Sequence, residues 1–111
     1  MTDMGGGIFV SRTDADGWEP DEEVGGSVHV LFEEGDTAGG LWKPAPGGGR
    51  AAAGHRLPAR ETIVILEGTV RIEIEGGATL ELGVGDMASL PKGAVTTWYP
   101  SPDFKEVWFY S

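Results

Sequence analysis

Residues 61–82 read ETIVILEGTVRIEIEGGATLEL. Within them Val70, Ile72 and Ile74 alternate with Arg71, Glu73 and Glu75. Successive side chains of a strand point to opposite faces, so this alternation predicts a strand buried on one side. Glu67-Gly68 precedes it and Gly76-Gly77 follows it, both tight-turn dipeptides. Residues 62–82 therefore read as three consecutive antiparallel strands.

The same pattern extends in both directions. The 19 glycines and 7 prolines among 111 residues fall between short runs of Val, Ile, Leu, Phe and Trp. Turn residues are placed this way in an all-β domain. Strands are expected at 8–11, 27–33, 39–43, 62–66, 69–75, 79–82, 87–90, 95–99 and 104–110. No window shows a 3.6-residue apolar period, so little helix is expected. Many short strands at even spacing indicate a sandwich or barrel. Residues 1–26 carry much charge and few apolar side chains, which suits a solvated acidic arm with one edge strand. Residues 44–53, PAPGGGRAAA, lack side chains to pack and read as a flexible loop. Neither is a second domain, and residues 27–111 are left for the barrel.

Charge excludes several functions. The formal net charge is −10, and −9 of it lies in residues 1–40, where Arg12 is the one base. Without a basic run there is no nucleic-acid footprint. No apolar stretch approaches the ~18 residues of a membrane-spanning helix. The absence of Cys removes disulfides, thiolate metal sites and a Cys nucleophile. Residues 1–10 have neither the basic start nor the apolar run of a signal peptide, so a cytoplasmic domain is expected.

Two stretches narrow the fold. Gly49 is followed after five residues by His55, Glu61 after six by Gly68, and Gly85 after five by Pro91-Lys92-Gly93. In order and spacing these resemble the two conserved motifs of the cupins, separated here by the 16 residues 69–84. Gly40-Leu41-Trp42, then Trp98 five residues beyond Gly93, then the aromatic run 104–110 are similar to one branch in particular. That branch holds the ureidoglycine aminohydrolase-type domains and the ethanolamine-utilisation cupin. The resemblance spans roughly residues 27–111 and implies a small jelly-roll β-barrel. It also implies a homodimer, for which strand 8–11 offers an edge.

Metal-binding cupins supply His-x-His and Glu from the first motif and a His from the second. The corresponding positions here are His55, Leu57, Glu61 and Thr96. Two of the four usual ligands of a divalent transition metal are thus missing, and His55 and Glu61 remain as partial ligands or as an acid/base pair. Positions 55, 57, 59 and 61 share parity, so on one regular strand both would face the barrel mouth, although Pro58 interrupts such a strand. Surface alternatives are an exposed loop histidine at 55 and an ion pair of Glu61 with Arg56 or Arg60. His29, between two valines, reads as a hydrogen-bonded strand histidine. Trp42, Trp98, Thr96 and Arg50 are candidates to line a pocket, and a Trp with Arg50 or Lys43 would suit a planar or anionic molecule. The expected function is small-molecule binding or catalysis in the barrel mouth. The alternative is a binding or structural cupin without a metal site.

Overall fold

The computed structural model describes residues 1–46 and 52–111 and contains no helix among them. Twelve strands run in chain order: β1 Thr2–Gly5, β2 Ile8–Val10, β3 Glu19–Pro20, β4 Ser27–Glu34, β5 Thr37–Lys43, β6 Ala52–Arg56, β7 Glu61–Glu67, β8 Thr69–Ile74, β9 Thr79–Gly83, β10 Met87–Leu90, β11 Val95–Pro100 and β12 Lys105–Tyr110. They form a six-stranded sheet ordered β10-β7-β12-β5-β4-β3, a four-stranded sheet ordered β6-β11-β8-β9, and a separate β1–β2 ribbon. Every pairing is antiparallel. The architecture is an all-β jelly roll.

All nine expected strands are present, but their pairing differs from the three-strand reading of 62–82. β8 and β9 form the expected hairpin, whereas β7 and β8 lie in different sheets. Gly68 carries the chain from one sheet to the other. Its φ is +72°, and an added Cβ would drive into the Ser101 and Asp103 side chains and the Phe104 backbone. A turn dipeptide specifies a reversal, not which sheet receives the returning strand. The partners of β7, namely β10 and β12, lie too far along the chain for a local pattern to reveal.

Between the sheets lies the core. On β7, Ile63 and Ile65 are fully buried, and Ile72, Leu90, Leu57 and Phe104 join them. Each such side chain contributes about 1.5–3 kcal/mol by leaving water. Phe104 packs tilted against Trp42 with ring centroids 6.0 Å apart. Gly40 sits where β5 passes a bulge in β4, and a Cβ there would strike the His29 carbonyl. The Gly-x-Trp pattern thus has a steric cause.

Residues 1–26 hold three short strands rather than one, and although none of their side chains is buried, the arm is docked on the barrel. His29 is 5% exposed and ties the arm to β4. Its Nδ1 bonds the Gly17 carbonyl at 2.6 Å and its Nε2 the Ser11 hydroxyl at 2.6 Å. Lys105 Nζ donates to the Thr13 carbonyl at 2.7 Å. The arm docks through backbone carbonyls and one hydroxyl, which a count of charges does not register. Of the loop expected at 44–53, residues 47–51 lie outside the described residues, and Ala52 and Ala53 begin β6.

Candidate functional site

A cavity of about 760 Å³ lies between the sheets, within the size range of small-molecule sites. Its walls come from several elements. β12 contributes Glu106, Trp108 and Tyr110, one face of the strand. β7 contributes Glu61, which the ladder places directly opposite Tyr110. β5 contributes Trp42, opposite Glu106. Trp98 of β11 and His55 of β6 bring in the second sheet.

The arm supplies a further wall. Asp21 accepts the backbone N–H groups of Glu23 and Val24 on its carboxylate at 3.0 and 3.2 Å, folding residues 21–26 into a compact loop. Trp42 Nε1 then holds that loop by donating to the Gly25 carbonyl at 3.0 Å. Asp21, Glu22 and Glu23 consequently border the cavity. Part of the acidic end of the chain, read from sequence as a solvated arm, thus borders the pocket.

Glu106 is the least expected member. It is 2% exposed, and its Oε1 has no hydrogen-bond partner among the described residues. Burial raises its carboxyl well above the ordinary range, and the Glu61 charge adds to the rise. Glu61, 7% exposed, is pushed up to about 7, mainly by desolvation and secondarily by Asp21. The Tyr110 hydroxyl is pushed up in the same way, by burial first and then by Glu61. Near neutral pH the site therefore retains carboxyl protons that exposed carboxylates would have released. Sequence reading missed Glu106, yet a signal was present: it shares parity with Phe104, Trp108 and Tyr110, all of them aromatic.

The other candidate positions separate clearly. His55 and Glu61 stand on different strands in different sheets, because the chain leaves regular structure at residues 57–60. Both nevertheless border the cavity, and Leu57, Ala59 and Glu61 remain buried at alternate positions, so the parity survives the break. His55 is half-buried rather than an exposed loop residue. The arginines near Glu61 turn elsewhere: Arg56 donates to the Gly93 carbonyl and Arg60 to Ser89 Oγ. Thr96 is fully buried, donates to the His55 carbonyl at 3.0 Å and accepts from Trp98 Nε1 at 2.8 Å. It positions Trp98 and does not itself border the cavity. Lys43 stacks over Trp18, 4.3 Å from the ring centroid, away from this cavity. Arg50 lies outside the described residues.

These positions do not fit the three-His, one-Glu metal centre. Leu57 is core, the Thr96 hydroxyl is committed, and no cluster of three or more His, Asp or Glu suited to a metal occurs among the described residues.

Residues 31–105 match the family model described as the EutQ-like cupin domain. The chain belongs to that family. Solved cupins share its fold at low identity. A KdgF from Halomonas sp. is 20% identical, with 94% of this chain and 93% of that one covered and a TM-score of 0.67. A putative ethanolamine utilization protein Q from Salmonella typhimurium is 19% identical over 84% of this chain and 76% of that one, with a TM-score of 0.67. A cupin-like protein from Thermotoga maritima is 16% identical over 87% and 81%, also at 0.67. No curated protein matches the chain by sequence. Among the described residues, no helix is long and apolar enough to cross a membrane.

Proposed function

We propose that this cupin binds a small organic molecule in the barrel cavity through carboxyl groups and tryptophans rather than through a resident transition metal. The supporting observation is Glu106, which borders the cavity and whose buried Oε1 has no partner among the described residues. Leaving a buried polar atom unpaired costs about 1–3 kcal/mol, a cost that a bound ligand would remove. A fragment screen followed by indole N–H chemical shifts tests the reading. Hits should perturb Trp42, Trp98 and Trp108 together and weaken at least tenfold in Glu106→Leu. Hits that leave all three indoles unmoved would end it. Purified protein should also carry far less than one Mn, Fe, Ni or Zn per chain, and near-stoichiometric metal would contradict the metal-free part.

A catalytic reading is favoured by one observation. A carboxyl that titrates at about 7 can both give and take a proton at neutral pH. If Glu61→Ala and His55→Ala leave every activity found on the fragment hits unchanged, the site binds without catalysing.

A further inference from the structure

Eight carboxyl side chains border the cavity, and its described lining residues include neither Lys nor Arg. Acidic residues alone do not make a site, since surface carboxylates can simply be solvated. Glu106 distinguishes this cavity, because it is buried, borders the space and has an oxygen without a partner among the described residues.

Several of the hydrogen-bond donors in the lining are already committed. Trp42 and Trp98 direct their indole N–H groups to Gly25 and Thr96. Thr37 donates to the Glu34 carbonyl. What remains is eight carboxyl groups beside the Trp108 indole, the Tyr110 hydroxyl and the His55 ring, and the negative π-face of Trp attracts a cation. A ligand that completes this lining brings N–H donors, positive charge and some apolar surface. A bare divalent ion fits less well, because the carboxylates are not gathered into a metal-binding cluster among the described residues.

We propose that the cavity binds a small organic cation carrying N–H groups, an amine or a guanidine, with its charged end at Glu106 and its apolar body against Trp42, Trp98 and Trp108. The inference rests on the reading of the cavity as a ligand site and adds the chemical class of the ligand.

One linkage accompanies it. Glu106 retains its proton because of burial and the Glu61 charge. A cation seated there favours the carboxylate, so binding expels a proton and tightens as pH rises. Other titratable groups border the same space. Glu61 comes from β7, Tyr110 from β12 itself and His55 from β6. The arm adds Glu19, Asp21, Glu22 and Glu23, and the β4–β5 end adds Glu33 and Asp36. The carboxylates among them reinforce the preference for positive charge.

Calorimetric titration of the full chain with three probes of similar size, benzylammonium, benzyl alcohol and benzoate, tests the class. Benzylammonium should bind at least tenfold more tightly than either of the others. Its affinity should rise with pH by up to tenfold per unit, with proton release visible as a buffer-dependent heat. Glu106→Gln should lose at least tenfold in affinity and the proton release with it. Asp21→Asn, on the exposed loop, gives a milder loss of about twofold and serves if Glu106→Gln folds poorly. Equal or tighter binding of benzyl alcohol or benzoate at the three tryptophans overturns the cation assignment and leaves the ligand site standing. Failure of all three probes to bind overturns the assignment too. If the fragment screen also finds no ligand, the ligand site falls with it.

Discussion

The two walls of the cavity treat polar groups in opposite ways. On the β6–β11 side, the hydroxyl of Thr96 is bonded on both sides, to the His55 carbonyl and the Trp98 indole, and Leu57 belongs to the core. On the β7–β12–β5 side, Glu61 and Glu106 are buried at raised pKa, and one carboxyl oxygen has no partner among the described residues. The first wall is saturated and the second is not. Family position and chemical capacity have therefore come apart here. Three of the four positions aligned by motif spacing with metal ligands lie on or beside the satisfied wall, while Glu106 stands on β12, outside both quoted motifs.

Four predictions probe this contrast, ordered from the largest expected effect. Gly68→Ala attacks the corner that holds the two walls apart. A left-handed φ and a backbone collision together should cost on the order of 4 kcal/mol, read as a lowered urea midpoint. An unchanged midpoint would mean that the corner is not constrained.

The second concerns pH. Glu61 rises on folding from 4.5 to about 7, so the folded chain holds the proton more tightly than the unfolded one. Its stabilising effect is complete below pH 4.5 and is lost as pH climbs through about 7, a decline of about 3 kcal/mol. Glu106 shifts in the same direction and extends the decline upward. Denaturation curves across this window should slope more steeply for the wild type than for Glu61→Gln. Equal slopes would remove the electrostatic half of the contrast.

Third, Glu106→Met should stabilise the empty protein by about 2 kcal/mol at pH 8, since apolar replacement of an uncompensated buried acid is commonly favourable. Destabilisation would show that the carboxyl has a partner after all. The smallest effect belongs to the saturated wall. Thr96→Val strands an indole N–H and should cost about 1.5 kcal/mol. It should also shift the Trp98 fluorescence, and a neutral result would mean that the wall is not tightly satisfied.

Much of the fold was legible because strand alternation is local. Val70, Ile72 and Ile74 reveal a buried face without reference to any partner. Pairing was not legible, and β7 shows why: its neighbours β10 and β12 begin 20 or more residues after it ends. The site was legible in proportion to its locality. Trp42, Trp98, His55 and Glu61 follow from motif spacing, and all four border the cavity. The arm carboxylates do not follow from it, because docking through His29 and Lys105 joins segments distant in sequence. Glu106 lies between these cases, visible in phase with Trp108 yet outvoted by the expectation that charges stay outside.

The position of β12 in its sheet bears on how the chain is made. It is made after the other eleven strands described here, yet it sits between β7 and β5, with further strands on either side. Until it arrives, those two strands face each other across a gap, each presenting an unpaired edge. Exposed edges invite pairing with other chains, and incompletely assembled β proteins are prone to aggregate. Closing the sheet and building the Glu106–Trp108–Tyr110 face are one event. A nascent chain stalled before residue 105 would lack that face of the cavity and have an open seam through its six-stranded sheet.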